Sequence, residues 1–394
     1  MRLAVVLSHP TQYYSPWFRW LAANTPLRLR VFYLWDAGVT ERRDPRFGTL
    51  VRWDTDLLSG YESRFVPNHS RHPHTDTFGG LVNPGLLPEL ENWRPDALLL
   101  FGYRFATHLA LIAWARLRGI PLLFRGDSHH LGRPTLPLAT RLSLRLLYRQ
   151  FDAFACVGRA NHDYFRTLGV PSSRIFHVPH AVDATHFRDP DGRHAAAAAE
   201  LRRSLGIPAT HRVLLFSGKF HGGKNPLGLL EAFAALSPRD WSLVLAGDGE
   251  DAELLHRRAA QVSKGSIHFL PFANQGAMPA RYLLGDLFCL PSLGYHETWG
   301  LAVNEAMHMG RPCLVSDRVG CQRDLVLPGR TGFVFKASAP DSIRETLTQA
   351  MKAPLIELGR AAALHVASYS YANAASGLCQ ALASLPDCKP LPAE

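Results

Sequence analysis

Two glutamates eight residues apart, Glu297 and Glu305, flank a glycine in the stretch Leu290-Pro291-Ser292-Leu293-Gly294-Tyr295-His296-Glu297-Thr298-Trp299-Gly300-Leu301-Ala302-Val303-Asn304-Glu305-Ala306. The apolar run Leu287–Leu290 reads as a strand, and a helix opens near Gly300. That helix stops around Gly310, ahead of Pro312, and Cys313–Ser316 reads as the next strand, which completes a βαβ unit. Glu297 then falls in the loop before the helix, and Glu305 sits two turns later on a nearby face. The helix N-terminus between them offers N–H groups and the positive end of a dipole. Gly300 lets a ligand come close to the backbone. A nucleoside diphosphate sugar suits this arrangement, with phosphates on the amides and hydroxyls of sugar and ribose on the two carboxylates. The bland alternative is a pair of solvated acids on a helix face.

A second chemical segment lies upstream, Phe216-Ser217-Gly218-Lys219-Phe220-His221-Gly222-Gly223-Lys224-Asn225-Pro226. A strand ends at Ser217, Asn225 has the character of an N-cap, and Pro226 suits a first helical position. Gly218, Lys219 and Lys224 therefore lie on a glycine-rich loop at the carboxyl end of a strand. Two ammonium groups there can neutralise a diphosphate leaving group. The spacing is not that of a Walker A loop.

Other residues invite weaker readings. Arg125-Gly126-Asp127-Ser128-His129-His130 follows a predicted strand, so Asp127 is a candidate for sugar or acceptor contact, with His129 able to swing in; an Asx-type turn is the alternative. His9, Gln12 and Tyr13 lie where the first strand enters its loop and are expected to border a cleft. Asp54-Thr55-Asp56 forms a D-x-D, and His69, His72 and His74 cluster in a Pro-rich loop; neither has the context of a metal site, and no metal is expected. Arg141, Arg145 and Arg149 fall at i, i+4 and i+8 beside Leu142, Leu146 and Leu147. That pattern suits docking on anionic lipid, or equally a charged outer face over a buried leucine face.

The elements that must position these residues alternate strand with helix. The first half predicts strands at Leu3–Ser8, Leu29–Leu34, Ala97–Phe101, Leu122–Phe124, Ala153–Val157 and Ile175–Val178. Helical patterns lie at Phe105–Leu117 and Leu136–Tyr148. The second half predicts strands at Val213–Ser217, Ser242–Ala246, Ile267–Leu270, Leu287–Leu290 and Cys313–Ser316, with helices over Pro226–Leu236, Ala252–Val262 and Leu301–Met309. Continuously apolar strands alternating with helices point to parallel sheets covered on both faces. The expected fold class is α/β, with two doubly wound Rossmann-like domains facing a deep cleft. The expected domains are 1–185 on the acceptor side, 186–370 for the donor, and a segment 371–394 crossing back to the first.

The 394 residues suffice for two domains. The six cysteines form no C-x-x-C pair and read as reduced thiols. No apolar run is long enough to span a bilayer, and the start Met1–Ser8 reads as a strand rather than a signal peptide, so the expected compartment is the cytoplasm, with peripheral contact at the inner membrane face left open. The net charge of +10 is uneven: residues 1–185 hold 22 Arg and no Lys against 14 acids. No nucleic-acid motif accompanies this basic half, and no nucleic-acid partner is expected.

Taken together, these segments resemble the retaining glycosyltransferases of family four, which have the GT-B fold. Glu297 and Glu305 match the E-x7-E signature. Lys219 and Lys224 match the position of the family's basic pair, although the first is more usually Arg. Ala246-Gly247-Asp248-Gly249, Phe269-Leu270-Pro271-Phe272, Ser316-Asp317-Arg318-Val319-Gly320 and Gly329-Arg330-Thr331-Gly332-Phe333 extend the match. The resemblance is dense from about residue 211 to 336 and thin before it. It implies that Glu297 holds the sugar hydroxyls, Glu305 the ribose, and Lys219 and Lys224 the diphosphate. Thr298, Trp299, Gly300 and Leu301 would border the donor, with backbone amides near the last two assisting, and Phe272 would line the base pocket. It further implies retention of anomeric configuration, no metal and no cofactor, with a UDP or GDP sugar as co-substrate. A glycan or lipid-linked acceptor, in bacterial surface polysaccharide synthesis, is expected by analogy. Two other readings stay open, a non-catalytic nucleotide-sugar-binding scaffold and a nucleotide-sugar epimerase.

Overall fold

A computed structural model describes residues 1–40, 42–43, 50–51, 53–133, 135–262, 266–294 and 297–385. Its strands, in chain order, are β1 (Arg2–Leu7), β2 (Arg28–Tyr33), β3 (Arg42–Arg43), β4 (Leu50–Val51), β5 (Glu62–Phe65), β6 (Ala97–Phe101), β7 (Leu122–Arg125), β8 (Ala153–Cys156), β9 (Ile175–His177), β10 (Arg212–Ser217), β11 (Trp241–Ala246), β12 (Ile267–Leu270), β13 (Leu287–Leu290), β14 (Cys313–Ser316) and β15 (Gly332–Phe335). A seven-stranded sheet has the order β5-β2-β1-β6-β7-β8-β9, and a six-stranded sheet the order β12-β11-β10-β13-β14-β15. Every pairing in both is parallel. The α/β doubly wound architecture expected from the strand–helix alternation is the one observed.

The apolar strands are buried on both faces, as parallel sheets with helical cover require. Side chains alternate between two cores with the strand period of two. In β10, Val213 and Leu215 enter one core and Leu214 and Phe216 the other. In β11, Val244 and Ala246 face the first core while Leu243 and Leu245 face the second. The first sheet divides in the same way, with Ala4 and Val6 on one side and Leu3 and Val5 on the other.

The helix Tyr371–Ala383 returns from the second half to the first sheet, where Ala374, Leu378, Ala381 and Leu382 join the core of Leu3 and Val5. Gly377 makes this possible, because a Cβ there would stand 1.8 Å from the His177 carbonyl oxygen. Cys156, Cys289, Cys313, Cys321 and Cys379 are free thiols, four of them buried. Cys388 lies outside the described residues. Among the described residues no helix is long and apolar enough to cross a membrane.

The helix over Leu138–Tyr148 corrects one expectation. Leu144 and Tyr148 are its buried residues, whereas Leu142 and Leu146 are 49% and 60% exposed. Of the leucines beside the arginine row, Leu142 and Leu146 therefore face outward, while Leu147 packs against the first-sheet core.

Candidate active site

The loops bearing the candidate carboxylates and ammoniums leave the second sheet where its strand order reverses. β10 and β13 are neighbours, but the chain leaves β10 toward β11 on one side and β13 toward β14 on the other. Connections that diverge in this way open a crevice at the carboxyl ends of the strands. Here the crevice faces the first sheet and encloses a cavity of about 440 Å³.

The first sheet sends Gln12, Tyr13 and Asp127 to the cavity wall. Gly218, Lys219 and Lys224 reach it from the loop after β10, and Phe272 from the segment after β12. Glu297, Thr298, Trp299, Gly300, Leu301 and Glu305 complete it from the loop after β13 and the following helix, Leu301–His308. The loop after β10 folds as its residues dictate: Asn225 caps the helix Pro226–Leu236 by accepting from the Gly228 amide, with Pro226 in its first turn.

Glu297 is 8% exposed. Its Oε2 accepts from Lys224 Nζ and from Ser292 Oγ, the latter at 2.8 Å. Its main chain is held as tightly: the carbonyl accepts from the Gly320 amide at 3.2 Å and from His129 Nε2 at 3.1 Å. Gly320 is packed so closely that a Cβ would lie 1.8 Å from the Thr298 oxygen. Gly300, at φ +98°, turns the chain into the helix; any larger residue would meet Val319 and Leu290 at 3.0 Å or less. The indole of Trp299 donates to Asn304 Oδ1 at 2.8 Å and fixes the first helical turn from the side.

Glu305 is deeper, at 2% exposure. Tyr282 donates to its Oε2 at 2.5 Å, and its buried Oε1 has no hydrogen-bond partner among the described residues. Burial raises its carboxyl to about 7, against the opposing pull of the Tyr282 hydrogen bond and of the neighbouring Tyr13 and Gln275 side chains. A half-satisfied buried carboxylate beside a helix N-terminus is ready to accept hydroxyl donors from a ligand.

Asp127 sits across the cleft. It accepts from Thr298 Oγ1 at 2.7 Å, and His180 Nε2 stands 3.7 Å away. Burial acts to raise its carboxyl, but the His180 contact and the Thr298 hydroxyl outweigh it and hold the group down at about 2. Asp127 is therefore ionised in the neutral range. It joins the two halves of the cleft while remaining 38% exposed.

Two sequence expectations fail here. His129 does not line the cavity: it is buried beneath the Glu297 loop, with Nε2 donating to the Glu297 carbonyl and Nδ1 accepting from the Leu131 amide at 3.0 Å. With both ring nitrogens engaged, it serves as a support for that loop. His9 also lies off the cavity wall. It shares a 2.9 Å hydrogen bond with Ser8, packs edge-on against Trp35, and burial lowers its imidazole to about 4.

The weaker features resolve into local roles. Asp54 accepts from the Gly276 amide at 3.0 Å, so it bridges the two halves, and Asp56 caps a turn by accepting from Leu58 and Ser59. His74 bonds Thr77 and the Asp76 amide within its own loop. Among the described residues no three His, Cys, Asp or Glu groups gather as metal ligands. Sequence reasoning missed His180, Tyr282 and Gln275, all on the cavity wall. His180 had one usable signal, a position just past β9 at a strand's carboxyl end. Tyr282 and Gln275 had none, because their partner Glu305 comes from a separate element.

The family model described as Glycosyltransferase Family 4 matches residues 39–186, and that described as Glycosyl transferases group 1 matches 198–366. The chain belongs to the GT-B glycosyltransferases of the family-four type. A GDP-mannose-dependent alpha-(1-6)-phosphatidylinositol monomannoside mannosyltransferase of Mycolicibacterium smegmatis is 29% identical over 62% of this family-four chain and 63% of its own length. A D-inositol 3-phosphate glycosyltransferase of Salinispora arenicola is 29% identical over 53% of this chain and 49% of its own. The match thus spans about half to just under two thirds of these curated relatives. The solved Anabaena protein Alr3699/HepE, in complex with UDP and glucose, shares the fold at a TM-score of 0.71 and 15% identity, covering 98% of this chain and all of that one.

Proposed function

We propose that this family-four glycosyltransferase moves a sugar from a nucleoside diphosphate sugar to an acceptor presented by the first sheet, with retention of anomeric configuration. One observation carries the reading: Glu297, Lys224, Lys219, the start of the Leu301–His308 helix and Glu305 converge on a single cavity from separate elements. Lys219, Lys224 and the helix N-terminus supply positive charge where a diphosphate would depart. Glu297, oriented by Lys224 and Ser292, faces the same space as an acceptor for sugar hydroxyls. Glu305 offers its unpartnered oxygen to the ribose. Asp127, held ionised, is placed to accept a hydrogen bond from the sugar or the incoming hydroxyl.

The names of the relatives and the ligands of the fold neighbour support either a GDP or a UDP sugar as donor. The acceptor class we infer is a glycan or lipid-linked saccharide, which the phosphatidylinositol monomannoside in the name of one relative supports. A thermal-shift screen against nucleoside diphosphate sugars tests the reading. A selective rise in melting temperature is expected, lost in Glu297→Ala and in Lys224→Ala. Transfer by Asp127→Asn should fall by roughly 10² or more, in line with loss of a charged group at a reacting centre, with donor binding retained. No shift with any donor would leave the chain without a donor site and overturn the proposal.

A further inference from the structure

Glu305 marks the point where the active-site cavity changes character. Up to it, the wall is set by Lys219, Lys224, Glu297 and the start of the Leu301–His308 helix. Past it, where Tyr282 donates to Glu305 Oε2, the wall is built from a different kind of residue. Met278 and Arg281 come from the helix that also carries Tyr282, Met278–Leu284. Phe272 and Ala273 come from the segment after β12, and Trp53 from the first half of the chain. Trp53 is brought there by its neighbour Asp54, which accepts from the Gly276 amide at 3.0 Å. These residues form an apolar, aromatic slot with a single charge among them, that of Arg281. A linear nucleotide sugar with its sugar at Glu297 and its ribose at Glu305 has only its base left to place in that slot.

Arg281 is 7% exposed. Its Nη1 donates to the Pro271 carbonyl at 2.5 Å, and among the described residues the side chain makes no other hydrogen bond and has no acidic partner. Burial alone acts on the guanidinium, lowering it to about 10, so it stays a cation in the neutral range. A guanidinium carries five N–H donors in a planar fork and no acceptor. Buried against one neutral carbonyl, such a charge is costly, and acceptors supplied by a ligand offset that cost.

The nucleobases differ in what they offer the fork. Guanine presents O6 and N7 side by side, both acceptors, and takes an arginine in bidentate fashion. Adenine sets its N6 amine beside N7, so a donor would face a donor. Uracil has O4 without a second acceptor on that edge. Every base has a π face for Trp53 and Phe272, so the aromatic walls hold a base without choosing among them. The choice falls to Arg281.

We propose, on the strength of the nucleotide-sugar site assigned above, that Arg281 reads the O6–N7 edge of a guanine ring and makes this chain specific for GDP-sugars. Arg281 touches the base and not the reacting atoms, so it is a specificity-determining residue rather than a catalytic one.

Calorimetric titration of the full chain with GDP, IDP, ADP and UDP tests this. Hypoxanthine keeps O6 and N7 and lacks only the 2-amino group of guanine. GDP and IDP should therefore bind alike, each at least about tenfold tighter than ADP and UDP, the scale of one bidentate base contact. Arg281→Met should bring GDP and IDP down to the level of UDP, leave UDP binding unchanged and keep the wild-type melting temperature. The ranking of the four nucleotides on the wild-type chain decides the matter even where the variant fails to fold. UDP or ADP bound as tightly as GDP overturns the proposal and leaves the nucleotide-sugar site standing. A GDP preference that survives in Arg281→Met also overturns it, as does IDP bound far more weakly than GDP, which would move recognition to the 2-amino group. Equal losses of GDP and UDP binding in the variant would make Arg281 a structural support and overturn it as well. If none of the four nucleotides binds, the site itself fails and the base assignment with it.

Discussion

Glu305 shows what burial does to a residue whose type and spacing already suggest a role. An acid two turns into a helix could be a solvated surface group. In the fold it is closed in, its carboxyl raised to about 7 by loss of hydration. A carboxylate accepts ribose hydroxyls better than the neutral acid does, so donor affinity should climb as pH rises through that value. Glu305→Gln should flatten the profile, measured by calorimetric titration across the neutral range. The ligand-free protein should show the opposite sign. A raised carboxyl favours the folded state most below its unfolded value, and this contribution is lost as pH rises through about 7. Wild type should therefore lose stability relative to Glu305→Gln as pH rises from about 4.5 to about 7, by on the order of 3 kcal/mol, read as a falling melting temperature. Lys219, Lys224 and Glu297 were legible in the sequence because each lies in a glycine-bearing loop bounded by a strand end or a cap, and Glu305 because it follows Glu297 by eight residues, inside the helix that opens at Gly300. Glu305's environment was not, because Tyr282, Tyr13 and Gln275 reach it from three distant elements.

At the scale of elements, the site depends on one loop being held still. The stretch Glu297–Gly300 is clamped from below by Gly320, whose amide donates to Glu297 and whose missing side chain leaves room for Thr298. Gly320→Ala places a methyl group against backbone that cannot yield. It should cost about 1–3 kcal/mol of stability, the range for overpacking a closed site, and weaken donor binding at the same time. Chemical denaturation and a donor titration on the same variant check this; unchanged donor affinity would show the loop to be less constrained than its contacts imply. The apolar central strands were readable from hydrophobic runs alone, within a residue or two at their ends. The edge strand β5, Glu-Ser-Arg-Phe, was not, since it is mostly exposed and exists by pairing with β2, where Arg30 and Glu62 also form an ion pair. The helix Tyr14–Asn24 was equally silent: its N-cap residue, Tyr13, makes no side-chain cap and no acid marks its first turn.

At the scale of the whole molecule, the last described helix is a structural tie. Tyr371–Ala383 starts beside the second half and buries its apolar face in the first. Leu378 is fully buried there. Leu378→Ala should destabilise the protein by about 2–5 kcal/mol, as for other large-to-small changes in a closed core, and the loss should appear as a lower thermal midpoint by circular dichroism. A midpoint within a degree or so of wild type would mean that the helix adds little to the core it joins. Other ties cross the same junction: Asp54 to Gly276, Asp127 to Thr298, and Asp324 to the amide of Arg159. They bring the loops of the first sheet within reach of the loops that carry Lys224 and Glu297.

The sequence by itself determined the α/β class, the strand–helix alternation and the pair of glycine-rich loops carrying Lys224 and Glu297, because hydrophobic period, caps and glycines act over a few residues. Only the tertiary structure decided that those loops meet at a reversal of strand order, that Asp127 rather than His129 faces the cleft, and that Leu142 and Leu146 point outward. Each of those outcomes depends on which distant surface closes over a residue, and no local pattern carries that information.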